Sequence, residues 1–147
     1  MAAIRRAEAT WAGPLATGSG TVSAKTSGLF SDLPVTWSAR TEAANGMTSP
    51  EELVAAAHSA CFAMALSGNL VRAGSPPDRL DVSAEVTFDK VDAGWSVVSS
   101  ALTVRGRVPG ISVEDFNAAA EQTRTGCPIS RALIGNVAIT VEATLEA

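Results

Sequence analysis

The stretch Ser49-Pro50-Glu51-Glu52-Leu53-Val54-Ala55-Ala56-Ala57-His58-Ser59-Ala60-Cys61-Phe62-Ala63-Met64-Ala65-Leu66 reads as the opening of a long core helix. Ser49 at the N-cap, Pro50 at the first helical position and Glu52 two residues later make a capping box with a first-turn proline, and the acidic pair suits the positive helix end. The pattern predicts a helix to about Arg72, where Ala73-Gly74-Ser75-Pro76-Pro77 supplies a C-cap glycine and a double-proline stop. The segment is apolar on nearly every side, and its many small residues let other backbone come close.

Upstream, the punctuators Gly13-Pro14, Gly18-Ser19-Gly20 and Gly28 divide alternating sequence into three expected strands, near residues 4–12, 19–26 and 33–40. Downstream, Leu80, Val82, Ala84, Val86 and Phe88 alternate with polar residues, the mark of a half-buried strand. A turn over residues 89–94 leads into a second strand from Trp95 to Val108, stopped by Pro109-Gly110. Ser112 caps a second helix running to Gly126. Cys127 stands at or near the N-cap of a short third helical piece with Pro128 at its first position, and Asn136 to Leu145 form a last strand. The expectation is a single domain over 1–147 of α+β class, an antiparallel sheet with two main helices packed on one face.

The chain has 147 residues, 46% apolar and 18% charged, with 11 basic residues against 15 acidic and a net charge of −4. That balance lacks the basic footprint that phosphate backbones demand, so no nucleic-acid partner is expected. Glu51, Glu52, His58 and Arg72 bracket and interrupt the longest apolar run, which argues against a membrane span, and the N-terminal residues lack the apolar core of a secretory signal. A cytoplasmic location is expected. A single histidine, His58, with Cys61 three residues on, falls short of a metal-ligand set, and neither a metal nor another cofactor is implied.

The chemistry rests on two cysteines, Cys61 and Cys127, 66 positions apart. In a reducing compartment such a pair is either catalytic or simply buried. A thiol reacts as thiolate, favoured by a nearby cation or helix N-terminus and disfavoured by apolar surroundings. Local sequence therefore makes Cys127 the more acidic thiol, at a helix start with Arg124 and Arg131 close in sequence. Cys61, in mid-helix, has no activating neighbour of its own.

Residues 46–66, together with Val86-Thr87-Phe88-Asp89-Lys90-Val91-Asp92-Ala93-Gly94-Trp95, Val108-Pro109-Gly110-Ile111 and Gly126-Cys127-Pro128-Ile129-Ser130, resemble the osmotically inducible protein C family. The likeness extends to Trp11, Gly13 and Gly18-Ser19-Gly20-Thr21-Val22, so it spans essentially the whole chain. It implies an intertwined α+β homodimer acting as a thiol peroxidase on hydroperoxides, organic ones in preference to hydrogen peroxide. Cys61 would be the peroxidatic cysteine and pass through a sulfenic acid. Cys127 would resolve it as a disulfide, which a dithiol of the dihydrolipoyl type would reduce. Arg40 matches the arginine that steadies the thiolate and polarises the peroxide in this branch; the sister branch of organic hydroperoxide resistance proteins takes its arginine from an earlier loop, where Ala16-Thr17-Gly18 offers none. Glu51 matches the glutamate that pairs with it, although Met47-Thr48-Ser49 makes the preceding loop one residue longer than the family pattern.

The physics of this assignment stands beside the family. Arginine is a cation with a planar fork, able to hold a sulfur or peroxide oxygen on one side and a carboxylate on the other. Ten residues of helix separate Glu51 from Cys61, about 15 Å at 1.5 Å per residue, so the two cannot share a site within one straight helix. Glu51 then belongs to a partner subunit's site, or Arg40 bridges a longer distance, or Glu51 is only a first-turn dipole residue; the first is favoured. His58 reads as a hydrogen-bonded helix residue rather than a base. Phe62, Met64, Leu66, Trp37 and Trp95 read mostly as core rather than as a substrate pocket. Two rival functions remain: a non-enzymatic redox sensor switched by a Cys61 to Cys127 disulfide, and a ligand-binding module with inert thiols.

Overall fold

The helix-capping signals are realised in a computed structural model that describes all residues 1–147. The chain divides into two units, Met1–Leu53 and Val54–Ala147.

The first unit holds strands β1 (Ala7–Ala12), β2 (Ser19–Ala24) and β3 (Leu33–Val35), a short helix α1 (Trp37–Thr41) and the opening of helix α2 (Pro50–Arg72). The three strands form one antiparallel sheet in sequence order. Gly20 faces Trp11 across it, and a Cβ there would meet the Thr10 carbonyl oxygen at 2.2 Å and the Trp11 ring at 2.8 Å. Every residue of β1 is exposed. The third strand is shorter than expected: residues 37–40, where sequence alternation suggested strand, belong to α1. The Thr36 hydroxyl accepts from the Ala39 N–H at 3.1 Å and starts a helix too short for a period to register.

At the start of α2 the Ser49 hydroxyl accepts from the Glu52 N–H at 3.1 Å, while the Glu52 carboxylate takes the Thr48 hydroxyl at 2.6 Å. Half of the expected capping box is thus made by a neighbouring hydroxyl. The far end closes as foreseen. Gly74 has φ +83°, its N–H reaches the Val71 carbonyl, and the Ser75 N–H reaches the Leu70 carbonyl, the pairing of a Schellman end.

The second unit contains the rest of α2, β4 (Arg79–Val91), β5 (Gly94–Arg107), α3 (Val113–Gly126), α4 (Pro128–Leu133) and β6 (Ala138–Leu145). β4 and β5 form the expected hairpin, with a turn tighter than 89–94 because Val91 pairs directly with Gly94, and with a bulge beside Thr87 and Phe88. β6 lies against β5 in parallel, not antiparallel as the sequence suggested. The segment carrying α3 and α4 supplies the long crossover that a parallel pair requires. The α+β class therefore stands, with two three-stranded sheets instead of one.

One face of the second sheet carries Leu80, Val82 and Ala84 of β4 opposite Gly106, Val104 and Leu102 of β5, and these in turn beside Leu145, Ala143 and Val141 of β6. Phe62, Leu66 and Leu70 of α2 and Phe116 of α3 complete this core. Gly106 is required beneath Phe116, whose ring a Cβ would meet at 2.4 Å. By length and composition α2 is long and apolar enough to cross a bilayer, so the interruptions noted in its sequence do not exclude a span on that ground. In the structure its stripe His58, Phe62, Leu66 and Leu70, at a spacing of four, is fully buried.

Candidate active site

The α3–α4 junction places Cys127 where its sequence promised. Its sulfur is the N-cap acceptor of α4, taking the Ser130 N–H at 3.4 Å, and Pro128 occupies the first helical position. The Ser130 hydroxyl also lies 3.4 Å from this sulfur. Cys127 is fully buried, whereas Cys61 on α2 is partly exposed. The two sulfurs are 3.4 Å apart and both thiols are free. A disulfide needs about 2.05 Å between sulfurs, so closing it asks for a side-chain adjustment and not a refolding.

The surroundings act on the two thiols in opposite directions. Burial raises the pKa of Cys61, a backbone N–H of Ile129 partly opposes this, and the neighbouring Cys127 raises it further. Burial also acts against the Cys127 thiolate, but the Ser130 hydroxyl, the Ser130 and Ile129 N–H groups and the Cys61 thiol outweigh it and hold Cys127 below its ordinary value. The arginines near Cys127 in sequence take no part: Arg124 binds Glu121 and the Ile139 carbonyl, and Arg131 is exposed.

Arg40 lies on α1, not on a strand. Its Nε donates to both Glu51 oxygens at 3.0 Å and its Nη2 to Oε1 at 2.8 Å, a bidentate pair with Glu51 nearly buried. The guanidinium also sits 5.8 Å from the Trp37 ring centre. The two residues meet within one chain, so Glu51 is more than a first-turn dipole residue. In the loop before Pro50, Asn45 and Gly46 have positive φ and the Met47 N–H is bonded to the Ala44 carbonyl.

His58 is fully buried and hydrogen-bonded at both ring nitrogens, Nδ1 to the Ser100 hydroxyl at 2.7 Å and Nε2 to the Ser130 hydroxyl at 2.8 Å. Burial lowers its pKa. Sequence reasoning missed Ser100 and Ser130. Ser100 was detectable as the hydroxyl on the inward face of β5, in line with Leu102, Val104 and Gly106. Ser130 was detectable as the residue whose N–H meets an N-cap sulfur. Of the apolar candidates, Phe62 and Leu66 are core, Met64 is exposed, and Trp95 stacks on Phe88 with ring centres 5.1 Å apart.

The model of the OsmC-like protein family matches residues 43–142. The chain belongs to the OsmC/Ohr family. It is 40% identical over 139 residues to Peroxiredoxin OsmC of Escherichia coli strain K12, covering 95% of this chain and 96% of that protein. It is 33% identical over 101 residues to the organic hydroperoxide resistance protein OhrA of Bacillus subtilis strain 168, covering 65% and 66% of the two chains. Among solved structures, the organic hydroperoxide resistance protein OhrB of Bacillus subtilis shares this OsmC/Ohr fold with a TM-score of 0.74, at 24% identity over 95% of this chain and 98% of that one.

Proposed function

We infer that the chain is a cysteine-based peroxidase that reduces organic hydroperoxides, and hydrogen peroxide less well. The observation that carries this is the contact at 3.4 Å between a partly exposed Cys61 and a fully buried Cys127, since a peroxide has access to the first sulfur and the second is poised to resolve it. Relatives named peroxiredoxin and organic hydroperoxide resistance protein support the substrate class.

The Cys61 thiolate attacks one peroxide oxygen, the O–O bond breaks, and the departing alkoxide takes up a proton to leave as an alcohol. Cys61 is then a sulfenic acid. The Cys127 thiolate attacks its sulfur, the S–S bond forms as the S–O bond breaks, and the hydroxide released is protonated to water. A dithiol of the dihydrolipoyl type reduces the disulfide and becomes a disulfide itself.

Because burial pushes the Cys61 thiol up, its activation calls for a cation. Arg40, held by Glu51, is the proposed source, at the site of a second copy of the chain. The ten residues between Glu51 and Cys61 support that assignment. A homodimer is further supported by the exposed strand β1, with Trp11 43% exposed, and by Ala56, Ala57, Ala60 and Met64 on an exposed side of α2. The proposed setting is the cytoplasm, where thiols stay reduced.

The test is consumption of cumene hydroperoxide and hydrogen peroxide with dihydrolipoamide as reductant. Turnover of the organic peroxide by wild type and none by Cys61→Ser is expected. No turnover by wild type with both thiols free would leave the ligand-binding reading, and a disulfide formed without turnover would leave the sensor.

A further inference from the structure

His58 is the only histidine of the chain, fully buried, and the peroxidase chemistry above gives it no task. It occupies the end of the α2 stripe that continues through Phe62, Leu66 and Leu70, where an apolar side chain would serve packing equally well. The sheet also departs from its apolar pattern at that point, with Ser100 inward on β5 and no side-chain oxygen or nitrogen of this buried cluster left without a partner. The hydrogen bonds join Ser100, His58, Ser130 and the Cys127 sulfur in an unbroken line across β5, α2 and α4.

A hydroxyl has one hydrogen, so with a neutral imidazole this line has only two polarities. In one, Ser100 donates to Nδ1, the Nε2–H donates to the Ser130 oxygen, and the Ser130 hydrogen points at the sulfur. In the other, every bond is reversed and Ser130 accepts from a Cys127 thiol. The backbone chooses between them. The Ser130 N–H already donates to the Cys127 sulfur, and the Ile129 N–H also favours its charged form. A sulfur that receives backbone donors is an acceptor, and the hydroxyl beside it is most favourable as a further donor.

We propose that His58, as the neutral Nε2–H tautomer fixed by Ser100, is a positioning residue that turns the Ser130 hydroxyl on to Cys127 and so holds the resolving sulfur as thiolate. The proposal rests on the peroxidase reading for its purpose but not for its chemistry. Burial disfavours the imidazolium, which suits a neutral donor rather than a base. Within the second unit no charged side chain takes over this role. From α2 the facing titratable groups are Cys61 and His58 itself; Arg124 of α3 is bound to Glu121, Arg131 of α4 is exposed, and the inward side chains of β5 and β6 are uncharged.

Two measurements without peroxide test it. The first is nitrogen-15 NMR of reduced wild-type protein labelled in histidine, where one residue gives the whole signal. The Nε2–H tautomer at neutral pH is expected; an Nδ1–H tautomer or an imidazolium overturns the proposal. The second is titration of the Cys127 thiolate by ultraviolet absorbance in a Cys61→Ser background. Ser130→Ala and His58→Leu should each raise the Cys127 pKa by about one unit, a tenfold loss of thiolate at fixed pH. His58→Gln, which keeps an N–H donor, should restore part of it. Adding His58→Leu to Ser130→Ala should change nothing further, because the histidine acts through that hydroxyl. An unchanged titration, or a histidine effect that persists without the hydroxyl, overturns the proposal. If the substituted proteins fail to fold, the NMR measurement on the native protein decides. Absence of peroxide turnover would remove the reaction and leave the tautomer intact, so the two failures are distinguishable.

Discussion

Cys61 and Cys127 touch, yet one is set in the middle of a helix and the other at the start of one, and that difference separates their chemistry. In mid-helix the backbone N–H groups are committed to the helix ladder, so little beyond the Ile129 N–H offsets the cost of burying the Cys61 thiolate. At the α4 N-cap the Ser130 hydroxyl, the uncommitted Ser130 and Ile129 N–H groups and the Cys61 thiol converge on the Cys127 sulfur and overcome a burial that is more complete. The buried thiol is thus the acidic one and the accessible thiol the weaker acid. On the reaction proposed above, the α3–α4 junction would prepare the resolving step, and activation of the first step would have to come from elsewhere.

The sharpest way to break this comparison is to remove each sulfur in turn. Cys61→Ser is expected to abolish peroxide consumption. Cys127→Ser is expected to react once and stall as a sulfenic acid that dimedone traps and mass spectrometry detects. Equal losses with no trapped adduct would show that the roles are not divided as proposed.

Next in size is the effect of Arg40. Removing a preorganised charge near a reacting centre costs on the order of 10² in rate, and Arg40→Ala is expected to lower kcat/KM for cumene hydroperoxide by about that factor. The Cys61 thiol is pushed up, so without the cation its thiolate grows as pH rises. The defect should therefore shrink from neutral to alkaline pH, and a loss constant with pH would argue that Arg40 does not act on the thiol.

The smallest effect is on stability. His58 has a pKa lowered from 6.5 in the folded protein, so the unfolded chain binds the proton more readily. Stability is then level above about pH 7 and falls as pH drops through about 6.5 toward the lower folded value. Urea midpoints of wild type and His58→Gln measured across that interval check this, the substituted protein being expected to show the shallower fall.

What the sequence conveyed follows the range of each interaction. Caps and stops act over a few residues, so Ser49, Gly74, Ser112 and the N-cap placement of Cys127 were legible from their neighbours. The α1 helix was not, because five residues give no period to read. Nor was the parallel seating of β6, since alternation reports which face a strand buries and not which way it runs. The resemblance named Arg40 and Glu51, while spacing alone gave no sign that they would meet in one chain. Ser100 and Ser130 lie 42 and 72 positions from His58, too far for any local pattern to join them.

The Cys127 sulfur has two employments that compete for the same electron pairs. Reduced, it terminates α4 by accepting the Ser130 N–H. Bonded to Cys61, it would be a neutral and much poorer acceptor. The helix end would lose its cap whenever the protein is oxidised and regain it on reduction. The Ser130 amide should then exchange its hydrogen with solvent faster in the oxidised protein, making the fraying of one helical turn a record of redox state.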